Sequence, residues 1–368
     1  MSRIYNFGAG PATLPLEVLE EVRDEFLDYP FQGKNLGMSI VEISHRSKAY
    51  EEINSQTEAD MKELLGLGDD YQVLFMQGGA TTQFSMVPLN FLKQGQTADY
   101  ILTGTWSQKA LAEAKKVGNT NVAASTKDEN FSRLPTPCEI KLSDNPAYIH
   151  LTSNNTIYGT QCRDISHWKL NPDKNMLVSD MSSDILSYPF KASDYALIYA
   201  GAQKNIGPAG LTVVIIRKEL AQNSDKNLPI MLQYETFAKN NSLYNTPPVF
   251  AVYIMGKVLK WIKANGGLKA MAAHNEAKAK LIYDVIDNNP SFFTGHAQKD
   301  SRSLMNITFR LPNEELEAKF VSEATAAGLS GLKGHRSVGG LRASVYNGMP
   351  KAGCQALADF MLHFMAKA

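Results

Sequence analysis

A single lysine among small, rigid neighbours is the first feature with chemical promise. In Ala200-Gly201-Ala202-Gln203-Lys204-Asn205-Ile206-Gly207-Pro208-Ala209-Gly210 one amine sits in a loop between two apolar runs. Loop lysines are ordinarily solvated. One ringed by small residues lets a flat partner approach closely, and a desolvated amine loses its proton readily and condenses with carbonyls. Asp180 follows the short run Met176–Ser179. A carboxylate there needs a cationic partner, such as a protonated ring nitrogen, to offset its desolvation. Capping a helix or sitting in a loop is the commoner fate of such an aspartate. Trp106, just after Tyr100–Thr103, could stack on a flat ring or simply fill the core. Gln77-Gly78-Gly79-Ala80-Thr81-Thr82 would leave backbone N–H groups free at a helix start, where a phosphate could bind. An ordinary strand-to-helix turn accounts for the same residues. The pattern is not GxGxxG, so it does not indicate a dinucleotide site. A further polar cluster, Ser153-Asn154-Asn155-Thr156, follows Tyr148–Thr152 as the chain leaves the core.

Each of these groups lies just past a β-rich run, and that placement implies the scaffold. The runs are Val73–Met76, Tyr100–Thr103, Tyr148–Thr152, Met176–Ser179, Leu197–Tyr199 and Leu211–Ile216. Several are apolar on both faces, as parallel strands covered by helices are. Helical patterns occupy Phe84–Leu92 and Ser107–Val117, and an earlier one covers Tyr50–Leu65 with Tyr50, Ile53, Thr57, Met61, Leu64 and Leu65 on one stripe. Alternation of this kind predicts an α/β core with a mostly parallel sheet, whose ligands collect at the carboxyl ends of the strands. After Asn245-Thr246-Pro247-Pro248 the texture changes to two long helical patterns, 249–264 and 268–288, split by the helix stop Asn265-Gly266-Gly267. A strand at Ser303–Leu311, a helix at Asn313–Ala327, a glycine-rich loop at 331–340, a strand at Leu341–Tyr346 and a closing helix from Gly353 follow. This predicts a large domain over 16–264 and a smaller C-terminal α/β domain over 265–368. Segment 1–15, too irregular for a helix, is expected to pack on the smaller one.

Charge and cysteine content remove several function classes. Over 368 residues, 37 Lys+Arg balance 37 Asp+Glu, so no overall basic excess exists to hold nucleic acid. Cys138, Cys162 and Cys354 lie far apart with no CxxC spacing, which argues against a disulfide framework or a cysteine-based metal site and fits a reducing cytoplasm. The first fifteen residues, MSRIYNFGAGPATLP, meet glycine and proline where a signal peptide needs an apolar core. No run approaches the length of a membrane helix. A cytoplasmic protein without membrane or nucleic-acid partners is expected.

Together the segments resemble one family. YAGAQKNIGPAGL (199–211), NFGAGPATLP (6–15), EISHRSK (42–48), SNNTIYGTQ (153–161), NTPP (245–248), WIKANGG (261–267) and GHRSVGGLRASVYN (334–347) are similar, in order and over nearly the whole chain, to the phosphoserine aminotransferases. These are class V, fold-type I enzymes that use pyridoxal 5'-phosphate. The resemblance implies that Lys204 forms the Schiff base and later carries the Cα proton. It implies that Asp180 pairs with the pyridine nitrogen, Trp106 stacks on the ring, and Thr156 and Gln203 hydrogen-bond the cofactor. Backbone groups of Ala80 and Thr81 would hold its phosphate, joined by Asn245 and Thr246 from the second subunit of a homodimer with shared active sites. For the substrates, glutamate and 3-phosphohydroxypyruvate, Arg342 would clamp the α-carboxylate. His45, Arg46, His335 and Arg336 would receive the phosphate or side-chain carboxylate, partly across the dimer. A phosphorylated hydroxythreonine precursor of pyridoxine is a further substrate in the family. Two departures stand out: Thr81 occupies a position that is arginine in some relatives, and Asn154-Asn155-Thr156 replaces a common Asn-Glu-Thr. The rival readings are a class V lyase such as a cysteine desulfurase, with Cys354 as its thiol, and a non-catalytic cofactor-binding protein.

Overall fold

The computed structural model describes residues 3–368, so the first two residues of the N-terminal segment lie outside the described residues. Seven strands form the central sheet: β1 (Tyr71–Met76), β2 (Thr97–Leu102), β3 (Asn119–Ser125), β4 (Ile149–Thr152), β5 (Leu177–Asp180), β6 (Leu197–Gly201) and β7 (Thr212–Arg217). Their spatial order is β1-β7-β6-β5-β4-β2-β3. Only β7 runs antiparallel to its neighbours, β1 and β6. Both faces of the sheet are covered. Val73, Phe75, Ile149, Leu177 and Ile198 enter one core, and Leu74, Met76, Tyr100, Val178 and Tyr199 enter the other. This double burial explains why the strands read as apolar runs without alternation.

Helices α1 (Leu16–Glu25), α2 (Lys48–Leu65), α3 (Gly79–Phe91) and α4 (Thr105–Ala114) precede or interleave the strands, and α5 (Val249–Ala264) follows them. Tyr50 and Met61 of α2 and Val252 and Val258 of α5 join the first core; Phe84 of α3 and Leu111 of α4 join the second. Two elements had no sequence signature. Strand β3 lies at the sheet's edge with a register shift against β2, and only Ala123 and Ala124 of its seven residues are buried. Helix α1 buries only Val18 and Val22, too thin a stripe to stand out.

Helix α6 (Gly267–Asn288) starts at the expected stop, where Gly266 and Gly267 have φ values of 89° and 67°. It packs with α7 (Glu314–Ala326) and α8 (Lys351–Lys367) around a three-stranded antiparallel sheet, β8 (Thr294–Gly295), β9 (Asn306–Arg310) and β10 (Leu341–Ser344). Strand β9 is shorter than the run from Ser303 suggested. Ser303 Oγ accepts the N–H groups of Met305 and Asn306, which turns the chain before the ladder begins. Phe7 is fully buried in this third core, and Tyr5–Asn6 pairs in parallel with Leu329–Ser330.

The segment expected to leave the core does the opposite. Residues 153–162 are all buried. Asn154–Asn155 and Thr160–Gln161 form a short antiparallel ladder that wedges between the two sheets. Asn154 Nδ2 donates to Asn306 Oδ1 at 2.8 Å, Thr308 Oγ1 to the Ile157 carbonyl at 3.1 Å, and Ser303 N to the Gly159 carbonyl at 2.8 Å. Gly159 has φ of 74°, and a Cβ there would stand 2.8 Å from the Asn306 carbonyl oxygen. Gly159→Ala is therefore expected to lose roughly 2–4 kcal/mol of stability, from a strained backbone and displaced β9 together. Urea unfolding of the variant against the parent measures this.

Candidate active site

The carboxyl ends of β1, β2, β4, β5 and β6 open into one cleft of about 340 Å³. It gathers Ala80, Thr81, Trp106, Thr156, Asp180, Gln203, Lys204, His335 and Arg342, nine of the residues singled out in the sequence. Lys204 is placed by the turn after β6, where Ile206 and Gly207 N–H groups return to the Ala202 carbonyl. Its Nζ donates to Thr156 Oγ1 at 2.8 Å and lies 5.5 Å from the centre of the Trp106 ring. Burial pulls the amine down to about 8; the Asp180 charge partly offsets this, while Arg342 adds to it. Gly10 closes over this turn, since a Cβ there would reach Lys204 Cγ at 3.4 Å.

Asp180 ends β5 as a buried residue. Burial raises its carboxyl above the ordinary range, countered by the Lys204 charge and by Ser182, whose hydroxyl and N–H donate to Oδ1 at 2.6 and 2.9 Å. Ser182 Oγ also accepts the Gly201 N–H at 3.1 Å, tying the carboxylate to the strand that leads to Lys204. Helix α3 begins beside them. Gly78 caps it at φ of 93°, and Gly79, Ala80 and Thr81 of its first turn, whose N–H groups have no intrahelical partners, line the cleft.

The cationic side comes from the C-terminal half. Arg342, on β10, donates from Nη1 to the Thr156 carbonyl at 3.3 Å, while its buried Nε has no partner. His335 is held below its usual pKa by burial first, then by Arg342, Arg336 and Lys109. Its Nδ1 accepts the Ser337 N–H at 3.2 Å, which leaves Nε2 to donate. Arg336 is exposed.

The remaining expected residues lie elsewhere on this chain. His45 and Thr246 line a second hollow of about 490 Å³ together with Pro208 and Ala209 of the Lys204 loop. His45 Nε2 and Asn245 Oδ1 are buried without partners, and Arg46 is exposed. The Thr246 carbonyl accepts from Gln77 Nε2 at 3.3 Å, close to the start of α3. Sequence reasoning missed Ser182, Gly10 and Lys109. An Asp-x-Ser spacing marks the first, and the Trp106-x-x-Lys109 helical spacing marks the last, whose Nζ lies 4.6 Å from the Trp106 ring centre.

These groups suit a flat, anionic cofactor with a carbonyl. An amine with a lowered pKa, a buried carboxylate with one oxygen left open, an unpartnered Trp106 Nε1 and a free helix start converge in one space. Cys354 is fully buried in the third core, and burial pushes its thiol up to about 11, the opposite of what a nucleophilic cysteine needs. Among the described residues no helix is long and apolar enough to cross a membrane.

Comparison with known proteins agrees with this geometry. The family model described as aminotransferase class-V matches residues 4–357, and the chain belongs to that family. Within it the chain stands among the phosphoserine aminotransferases and is a pyridoxal-phosphate-dependent aminotransferase of fold type I. It is 54% identical over 366 residues to the phosphoserine aminotransferase of Herpetosiphon aurantiacus, covering 99% of each chain. The solved phosphoserine aminotransferase of Bacillus circulans subsp. alkalophilus superposes with a TM-score of 0.94 at 55% identity, covering 99% of both. The pyridoxal-phosphate-bound enzyme of Trichomonas vaginalis gives 0.91 at 39%, covering 98% of this chain and 100% of that one. The lyase and non-catalytic readings are not favoured.

The lowered Lys204 pKa has a direct readout. Capture of pyridoxal 5'-phosphate by the cofactor-free protein, trapped with borohydride, should speed up with rising pH through a midpoint at about 8, and level off roughly one unit higher as the neutral amine becomes dominant. A rate still climbing steeply toward pH 10 would contradict the buried amine.

Proposed function

We propose that this protein transfers the amino group of L-glutamate to 3-phosphohydroxypyruvate, giving 2-oxoglutarate and O-phospho-L-serine for serine biosynthesis. It does so in the cytoplasm as a homodimer with shared active sites. One observation carries the reading: a buried amine, a buried carboxylate and a guanidinium with a free Nε meet in a single cleft. Residues 16–264 are taken as the cofactor-binding domain. Residues 265–368, with segment 1–15, form the domain that brings Arg342 to it.

Pyridoxal 5'-phosphate, when bound, supplies an electron-withdrawing ring that acidifies the substrate Cα–H. Asp180 would hold its ring nitrogen, Trp106 its face, Thr156 and Gln203 its ring substituents, and the Ala80 and Thr81 N–H groups its phosphate. Asn245 and Thr246 of a second copy would complete that phosphate site. Arg342 then grips the substrate α-carboxylate in bidentate fashion, as only a planar guanidinium can. That grip orients Cα toward Lys204. With its pKa drawn down to about 8, Lys204 has a far larger neutral fraction near neutral pH than an exposed lysine and can take the Cα proton of glutamate onto Nζ. In the second half-reaction the same Nζ returns a proton to Cα of the product.

The far end of each substrate is anionic, a carboxylate in glutamate and a phosphate in the acceptor. His335 donates from Nε2, and Arg336 adds an exposed cation. His45 and Arg46 of a second copy supply the rest. His45 lies with Thr246 at the second hollow, beside Pro208 and Ala209 of the Lys204 loop, and neither His45 nor Arg46 lines the cleft of its own chain.

Three measurements test the assignment. Lys204→Ala should abolish turnover and borohydride-trapped cofactor, and normal turnover would sink it. Removing the acceptor's phosphate should lower kcat/KM by about a hundredfold or more, the scale expected when several charge-assisted hydrogen bonds to the substrate are lost. Lys204→Ala and Arg46→Ala, each nearly inactive, should recover about a quarter of parental activity when subunits are mixed and reassociated, because half the dimers then carry one intact site. No recovery would rule out shared sites.

A further inference from the structure

Behind the cleft, three consecutive backbone carbonyls are each taken by an asparagine amide from a different part of the chain. Asn205 Nδ2, from the Lys204 turn, donates to the Ile185 carbonyl at 2.5 Å. Asn347 Nδ2, from the segment after β10, donates to the Leu186 carbonyl at 2.9 Å. Asn275 Nδ2, from α6, donates to the Ser187 carbonyl at 3.0 Å and to Asn347 Oδ1 at 2.8 Å. The Asn347 N–H closes the set on Asn205 Oδ1 at 2.9 Å. All three asparagines are buried.

The turn they hold is strained. Leu186 has φ of 58°, a left-handed conformation that a leucine keeps only when its surroundings impose it. Lys278, one helical turn beyond Asn275, donates to the Val345 and Tyr346 carbonyls at 2.9 and 2.7 Å, so α6 grips residues 345–347 in succession. None of the three asparagines lines the cleft. Each is nevertheless tied to a group that does. Asn205 adjoins Lys204, the 185–187 turn continues the chain from Asp180, and residues 345–347 continue it from Arg342.

We propose that Asn205, Asn275 and Asn347 are positioning residues, a clamp that holds the Lys204 turn, the Asp180 segment and the Arg342 strand in one register. The proposal rests on the aminotransferase reading above and adds to it. Directional amide bonds suit this task better than apolar packing, because each fixes an angle as well as a distance.

The test uses holoenzyme carrying Asn347→Ala, Asn275→Ala or both, with Phe320→Leu as a control that loosens the third core alone. Three quantities are read: the pH midpoint of the lysine–cofactor absorbance band, KM and kcat of the glutamate half-reaction, and Tm. With the clamp broken, the midpoint should move by about half a pH unit and the glutamate KM should rise about tenfold. The double variant should fall short of the sum of the singles, since both act on one turn. Phe320→Leu should lower Tm and leave the other two unchanged. If Asn347→Ala lowers Tm while midpoint and KM stay at parental values, the clamp is structural only and the proposal is overturned. Should Asn347→Ala fail to fold, Asn275→Ala and Asn347→Ser carry the same readouts. A parent enzyme unresponsive to glutamate would instead overturn the aminotransferase reading, and the band midpoint would still decide the clamp.

Discussion

Keeping the Lys204 amine out of water is the constraint on which the rest of this structure depends. An exposed lysine stays protonated and cannot act as a base near neutral pH. Here burial draws the amine down to about 8, and the fold supplies what that burial requires. Thr156 accepts its hydrogen bond, Asp180 offers the nearby negative charge, and Gly10 lets the N-terminal segment close over the turn. The same desolvation raises the Asp180 carboxyl, so the buried carboxylate needs the lysine's charge or that of a bound cation.

That constraint explains why the site straddles two cores. The parallel sheet presents Lys204, Asp180 and the start of α3 at its carboxyl edge, but it offers no arginine there. Arg342 arrives on β10 of the second sheet and reaches the first through the Thr156 carbonyl. The buried ladder at 154–161 and the asparagines around 185–187 lock the two sheets together with directional bonds. A purely apolar seam would allow sliding, and the distance between a carboxylate clamp and a proton-carrying amine tolerates little of it.

Much of this was legible in the residues. Uninterrupted apolar runs foretold a sheet covered on both faces, because interior parallel strands bury both sides. Glycine and asparagine at 265–267 foretold the break between α5 and α6. Elements whose signal is carried by pairing rather than composition were not legible. Strand β3 is an edge strand of mostly small and polar residues with only two buried, and Ser153–Thr156 looks like a loop although it is wholly buried. Its polar groups are satisfied by partners some 150 residues away, such as Asn306 and Ser303, which no local pattern can anticipate.

By itself the sequence determined the chemistry available: one lysine among small residues, one aspartate at a strand end, a tryptophan, a free helix start and a few arginines. It also determined the α/β scaffold that puts most of these at one sheet edge. Only the tertiary structure decided which of them meet. It brought Arg342 and His335 to Lys204 across the chain, and it left His45 and Thr246 at a second hollow beyond the Lys204 loop. The physical reason is that a pKa, a partner and a burial depth belong to an arrangement of distant segments. Residue type sets what a group can do, and desolvation by the folded chain sets whether it does so.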